Sequence, residues 1–200
     1  MSSKYKNSIV TYTLIVLCVV VYLYSFIRYG ISMSSLEGIK MGGFNPILVH
    51  YYHEYYRLIT ANFIHFGLVH IFCNVSSLYN LGIIMEGILK REKYLLVVVI
   101  SMISTTGFSY LLFILFGSGV NSVMGGISGV IFGLIGSLLA LALLYKDIYQ
   151  YLFKQILPSV LMMFLISMTI PSISLVGHVG GMLGGFLTTL VIEKNERVLH

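Results

Sequence analysis

The sequence predicts an all-α membrane protein, a bundle of six transmembrane helices with both termini in the cytoplasm. Three observations lead there. The 200 residues are 58% hydrophobic and only 10% charged, with a mean hydropathy of +0.93. A soluble domain of that length needs far more charge to cover its surface. Several apolar runs approach or exceed the ~20 residues that cross a bilayer as a helix. Finally, the basic residues fall unequally between alternate loops, as the positive-inside bias of membrane proteins requires.

The expected spans are 8–28, 60–85, 94–116, 127–145, 151–171 and 176–192, in a single domain over 1–200. The first run, from Ile9 to Ile27, follows Lys4 and Lys6. It is too long for a signal-peptide core and no small-residue cleavage site follows it, so it reads as a retained span. The stretch 29–58 is rich in Tyr and Gly and carries Pro46, His50, His53 and Arg57. Its aromatics suit a membrane interface, and it is expected to lie on or partly in the outer leaflet. The second span contains "TANFIHFGLVHIFCNVSSLYNLG", in which His70, Asn74 and Ser77 share one helix face at i, i+4 and i+7. His65 lies well round from that face. The third span follows the basic loop of Lys90, Arg91 and Lys93. The fourth opens at "GGISGV" with Ser128, and the sixth contains "VGHVGGMLGGF" with His178.

With the N-terminus inside, the cytoplasmic face carries Lys4, Lys6, Lys90, Arg91, Lys93, Lys146, Lys154, Lys194 and Arg197. Only Arg28, Lys40 and Arg57 fall outside. The net charge of +5 therefore reflects topology and not a nucleic-acid surface. Cys18 and Cys73 both lie in apolar segments and read as buried thiols, not a disulfide.

Polar residues inside a membrane are costly, and each needs a reason. The second, fourth and sixth spans all run from outside to inside. At ~1.5 Å per residue, Ser128 stands about 26 Å above the inner end of its helix. On the same scale His178 stands about 21 Å above its inner end, and His70 to Asn74 about 17–23 Å. Three helices thus bring hydroxyl, imidazole and amide to one depth in the outer half of the membrane. Gly125, Gly129, Gly133 and Gly136 line one side of the fourth helix, and Gly177, Gly181 and Gly185 repeat at intervals of four on the sixth. Small-xxx-small faces let helix backbones approach closely. If these two faces pack, Ser128 and His178 come toward hydrogen-bond reach.

A serine becomes a strong nucleophile when a histidine takes its proton. The usual third member is a carboxylate. The seven acidic residues are Glu37, Glu54, Glu86, Glu92, Asp147, Glu193 and Glu196, and none is expected in the outer half of a span. Catalysis here would run on a Ser–His dyad. Acyl transfer also needs donors aimed at the oxyanion. Unpaired N–H groups at the helix start beside Ser128, the His70 ring and the Asn74 amide can supply them. The preceding "GSGVNSVMGG" is irregular, which at membrane depth is tolerated where protein buries it or where it lines a watered cavity.

These motifs resemble those of the rhomboid family of intramembrane serine proteases, in its minimal six-span bacterial form. "GISG" at 126–129 is similar to the family's G-x-S-G motif and "HIFCN" at 70–74 to its H-x-x-x-N motif. "GHVGGMLGG" at 177–185 is similar to its sixth-span pattern, and "YR" at 56–57 resembles the end of the long first loop, where Trp-Arg is common. The resemblance implies Ser128 as nucleophile and His178 as general base. It implies the Ser128 N–H, His70 and Asn74 as oxyanion hole. It implies support from Gly126, Gly129, Phe132, Gly181, Gly185, Arg57 and Glu86, with Glu86 pinning the inner end of the second span. Two departures are Tyr56 in place of Trp and Phe132 in place of a Tyr stacked on the histidine. The implied activity is cleavage of transmembrane segments of other membrane proteins in the lipid bilayer, with substrate entering between the second and fifth spans. The implied location is the bacterial cytoplasmic membrane. No cofactor, metal or nucleic-acid partner is expected.

Blander readings stand beside this one. Taken alone, Ser128 is a helix-packing residue, His178 a structural histidine and Asn74 interhelical glue. Ser76 and Ser77 read as packing residues and His65 as structural. "HYYHE" lacks the H-E-x-x-H order of a zinc site and reads as interfacial loop. Val130 stands where G-x-S-x-G needs glycine, which excludes an α/β-hydrolase elbow. Paired intramembrane acids or related broken helices, the marks of a transporter, are not evident. The alternative function is a catalytically silent protein of the same fold that binds and escorts transmembrane helices.

Overall fold

A computed structural model describes residues 8–169 and 174–198, with side chains described at 8–165 and 174–194. The described residues are overwhelmingly helical. α1 is Ile9–Tyr29 and stops at Gly30, whose φ of +88° lies where glycine is favoured. α2 (Ser35–Lys40) starts with a capping box between Ser34 and Glu37. Those hydrogen bonds from Ser34 hold the Glu37 carboxyl below its ordinary range. α3 (Pro46–Tyr52) combines an Asn45 cap with proline in its first turn. α4 (Arg57–Thr60) runs on into a 3-10 turn, Ala61–Phe63. α5 is Leu68–Ser77, and a π turn, Leu78–Gly82, joins it to α6, Ile83–Phe116. α7 (Ser128–Leu144), α8 (Lys146–Thr169) and α9 (Leu175–Val198) complete the chain.

Among the described residues, Ile9–Tyr29, Leu68–Phe116, Lys146–Leu165 and Leu175–Lys194 are long and apolar enough to cross a membrane. Ser128–Leu144 is apolar but shorter. The 49-residue segment Leu68–Phe116 is broken at Lys90, where φ is 61° and ψ 165°, and so supplies two arms.

Several expected boundaries move. The second segment starts at Leu68, not 60, because Ile64 and Gly67 are extended and Gly67 bridges back to Ser32. His65 therefore lies ahead of the helix instead of on its far side. The third arm begins at the Lys90 break, not 94. The non-helical Tyr145 ends α7 and releases α8 at Lys146, ahead of the expected 151. Positions 170 and 171 of the expected fifth span, and the N-terminal Lys4 and Lys6, lie outside the described residues. α9 runs past 192 to Val198.

α7 is the centre of the bundle. Its residues are buried almost without a break from Gly129 to Ala142. This is why it is apolar on every face, as a fully surrounded helix must be. α9 packs along α7, α6 flanks both, and α8 covers α7 with Phe164 and Val160. The α7–α9 contact is backbone on backbone. A Cβ on Gly181 would strike the Gly129 carbonyl oxygen, and one on Gly185 the Gly133 carbonyl oxygen. From the other helix, a Cβ on Gly136 would strike the Met182 carbonyl. Ser137 and Thr189, both fully buried, pair at 2.6 Å further along the same seam.

Glu86, 3% exposed, caps α1. Its carboxylate accepts from Val10 N (3.0 Å), Thr11 N (2.8 Å) and Thr11 Oγ1 (2.7 Å). A negative charge on the unpaired N–H groups of a helix start is favourable on both counts, hydrogen bonding and dipole. At the end of α9, Glu193 accepts from Lys93 Nζ (3.1 Å) and Tyr145 OH (2.8 Å), tying α6, α7 and α9 together.

Candidate active site

Ser128 is the first residue of α7. Val130 N and Ile131 N make the first bonds, both to Ile127 O, so the Ser128 N–H precedes the helical ladder. His178 lies in the first turn of α9. The Gly129–Gly181 and Gly133–Gly185 contacts bring the two helix starts together. His178 Nε2 stands 2.9 Å from Ser128 Oγ. The His178 ring is 5% exposed and stacks on Phe132, with centroids 4.2 Å apart and planes inclined by 19°. Phe164 of α8 closes on the other edge of Phe132 at 4.8 Å. Phenylalanine thus keeps the stack expected of this position.

Gly126 has φ +116°, and a Cβ there would lie 2.7 Å from His70 Nε2 and 3.2 Å from Asn74 Nδ2. Glycine at 126 is needed for both reasons. It lets the imidazole and the amide of α5 approach the backbone just ahead of Ser128. Asn74 is 5% exposed, and its Nδ2 is buried with no acceptor among the described residues. Buried donors without a partner are rare and call for one. His70 is oriented by two ring neighbours, stacked on Phe66 and edge-on to His65 at 5.0 Å. His65 itself is fully buried, with Nδ1 3.1 Å from Phe63 O.

The loop before Ser128 is irregular but tied down. Met124 and Phe44 exchange backbone hydrogen bonds at 2.9 Å, and Gly126 N donates to Ala61 O at 2.9 Å. Asn45 Nδ2 donates to Val120 O and Ser122 O. The 29–58 segment is therefore a brace for the loop ahead of Ser128. Arg57 holds that brace. It is 5% exposed, and its Nη1 donates to Ile39 O (2.8 Å) and Gly43 O (2.7 Å). Its Nε donates to Glu54, and that hydrogen bond keeps the Glu54 carboxyl below its ordinary range. Its guanidinium sits 5.3 Å from the centre of the Tyr56 ring. The other two candidate histidines are engaged elsewhere, His50 with Tyr110 OH (3.0 Å) and His53 with Tyr55 OH (3.1 Å).

His70, Gly126, Ser128 and His178 line one pocket, together with residues that the motifs did not single out. Ser174 caps α9: its Oγ accepts from Gly177 N (3.0 Å) and its O from His178 N (3.1 Å). The signal was present, since a serine three residues before a helical glycine is a cap pattern. Asn62, Thr105 and Thr106 also line it. Asn62 carried the signal of a polar residue within the expected second span but belonged to no motif, and it lies in the 3-10 turn ahead of α5.

The Rhomboid domain family matches residues 52–195, and the chain belongs to that family. No curated protein matches the chain. The family and the apolar helices together make the protein an integral, multi-pass membrane protein.

Proposed function

We propose that the protein is an intramembrane serine endopeptidase that cleaves transmembrane segments of other membrane proteins. The observation that carries the reading is the 2.9 Å contact between His178 Nε2 and Ser128 Oγ. In this reading the neutral His178 carries its proton on Nδ1, so Nε2 accepts the serine proton. Oγ then bonds to the scissile carbonyl carbon. The oxyanion is met by the Ser128 N–H, His70 and Asn74. His178 returns the proton to the leaving amine, and water hydrolyses the resulting ester. Gly126 clears space for the oxyanion donors, and Phe132 holds the imidazole plane.

The proposal includes six spans in one domain, with both termini on the cytoplasmic side of a bacterial inner membrane. α7, with 17 residues, is about 26 Å long, short of the ~30 Å core. A helix that starts below the outer surface recesses Ser128, and the braced loop above it admits water. Substrate helices reach the site from the bilayer between the second and fifth spans.

The alternative, a silent escort of membrane helices, needs neither the Ser–His contact nor a donor held unpaired in Asn74. The two separate in one assay. Purified protein, reconstituted with a labelled single-span substrate, should release two fragments, and Ser128→Ala should release none. Binding without cleavage by the wild type favours the escort.

A further inference from the structure

Asn62, which lines the pocket beside Ser128, carries a buried polar atom for which the catalytic reading has no use. Asn62 is 1% exposed and lines the same pocket as His70, Ser128 and His178. Its Nδ2 donates to Leu58 O (3.2 Å) and Ile59 O (3.1 Å), which fixes the orientation of the amide. Its Oδ1 is buried and accepts from no group among the described residues. An unsatisfied buried acceptor is costly. Such a group persists where a water or a ligand supplies the hydrogen.

The neighbouring hydroxyls do not supply it. Thr105 Oγ1 donates to Ser101 O (2.7 Å), and Thr106 Oγ1 to Leu58 O (2.9 Å). A carbonyl oxygen can only accept, so its partner must bring an O–H or N–H into the pocket. The proteolytic reading requires one such molecule there, the water that releases the second product.

We propose that Asn62 Oδ1 seats the hydrolytic water of deacylation beside Ser128 and His178. The inference rests on the proteolytic reading above. The acyl-enzyme is an ester between Ser128 Oγ and the substrate carbonyl carbon. Water gives one proton to His178 Nε2 as its oxygen bonds to that carbon. Its second O–H remains on Asn62 Oδ1, which aims the lone pair. The tetrahedral intermediate then collapses, the carbon–Oγ bond breaks, and Oγ takes the proton back from His178. The acid product and free serine result. Asn62 serves this second half-reaction and not the first, which uses no water.

The two half-reactions are separable by rapid quench with the full-length protein in detergent and a labelled transmembrane substrate. Asn62→Leu, close in size and without the acceptor, should release the amine-side product in a burst stoichiometric with enzyme. Its steady-state rate should fall by roughly tenfold or more, the rate equivalent of one hydrogen bond. Its labelling by a fluorophosphonate, which needs no water, should stay within about twofold of wild type, because that shift is well under 1.4 kcal/mol. Asn62→Asp loses the Nδ2 donor but keeps an oxygen acceptor, and should turn over without a burst. If Asn62→Leu does not fold, Asn62→Ala takes its place in the comparison.

Three results overturn the assignment. They are an unchanged steady-state rate in Asn62→Leu, an equal loss in the Leu and Asp variants, and a rise in KM with no burst, which would assign Oδ1 to a substrate N–H. Each leaves the proteolytic reading intact so long as wild type cleaves and Ser128→Ala does not. A wild type that does not cleave removes both.

Discussion

Gly185 and Gly133 meet backbone to backbone, so closely that a Cβ on Gly185 would strike the Gly133 carbonyl. This contact lies two helical turns along α9 from His178 and fixes how deep that histidine sits against α7. Widening the seam should therefore damage the site as well as the fold. Gly185→Val is expected to cost about 1–3 kcal/mol or more from overpacking. Thermal unfolding in detergent should show the loss, and substrate cleavage should fall at temperatures where the variant is still folded. Unchanged cleavage would mean that the seam does not set the dyad.

The Phe132–His178 stack predicts a graded response. Stacked aromatic pairs contribute about 0.5–1.5 kcal/mol beyond their buried area. Phe132→Ala should slow cleavage by up to roughly tenfold on that scale, and Phe132→Tyr should keep nearly full activity. The kcat of each variant, measured below its unfolding temperature, checks this.

The proposed oxyanion donors predict a different size of effect from the proposed base. His178→Ala should abolish cleavage, while Asn74→Ala should lower kcat by roughly 10²-fold or less, as for one lost donor. KM should be little altered in Asn74→Ala, because the oxyanion exists in the transition state and not in the bound substrate. A loss carried by KM alone would move Asn74 out of the oxyanion hole.

Ser174 should act on His178 through the helix start. Ser174→Ala removes a cap worth about 1 kcal/mol, and both stability and kcat should fall. Ser174→Asp or Ser174→Asn can rebuild the cap and should restore both. Failure of either replacement to restore activity would show that the hydroxyl matters for something other than capping.

The Arg57–Glu54 pair predicts a pH dependence for the brace over the loop ahead of Ser128. Its hydrogen bond holds the Glu54 carboxyl below the ordinary glutamate range. A group depressed on folding stabilises the protein above its unfolded pKa, about 4.3 for glutamate. That contribution is lost as pH falls through the depressed value. Glu54→Gln should therefore melt below wild type at neutral pH, and the two should converge under acid conditions. A gap that stays constant as the pH is lowered until the Glu54 carboxylate takes up its proton would remove the ion pair as its cause.

Much of the site was legible because its residues are expensive where they stand. Ser128, His178, His70 and Asn74 are polar groups in apolar runs, and the glycine spacing pointed to the seam that joins α7 and α9. Gly126 reads equally well as flexible loop until its φ of +116° and its closeness to His70 are seen. The beginning of α5 was not legible. Nothing in the pattern over 60–85 marks a helix start at Leu68, whereas Gly67 breaks the chain by pairing with Ser32, a contact 35 residues away that no local period records. The same holds for the brace, where Phe44 and Asn45 act on Met124, Val120 and Ser122. Ser174 and Asn62 are placed by side-chain hydrogen bonds to backbone, which leave no mark on hydropathy.

The central claim is that His178 activates Ser128. Labelling of the detergent-solubilised protein with a serine-directed fluorophosphonate, followed by mapping of the modified peptide, tests it most directly. Covalent label is expected on Ser128 in the wild type, none in Ser128→Ala, and a collapse of labelling in His178→Ala. Label that persists in Ser128→Ala, or that is indifferent to His178→Ala, would contradict it.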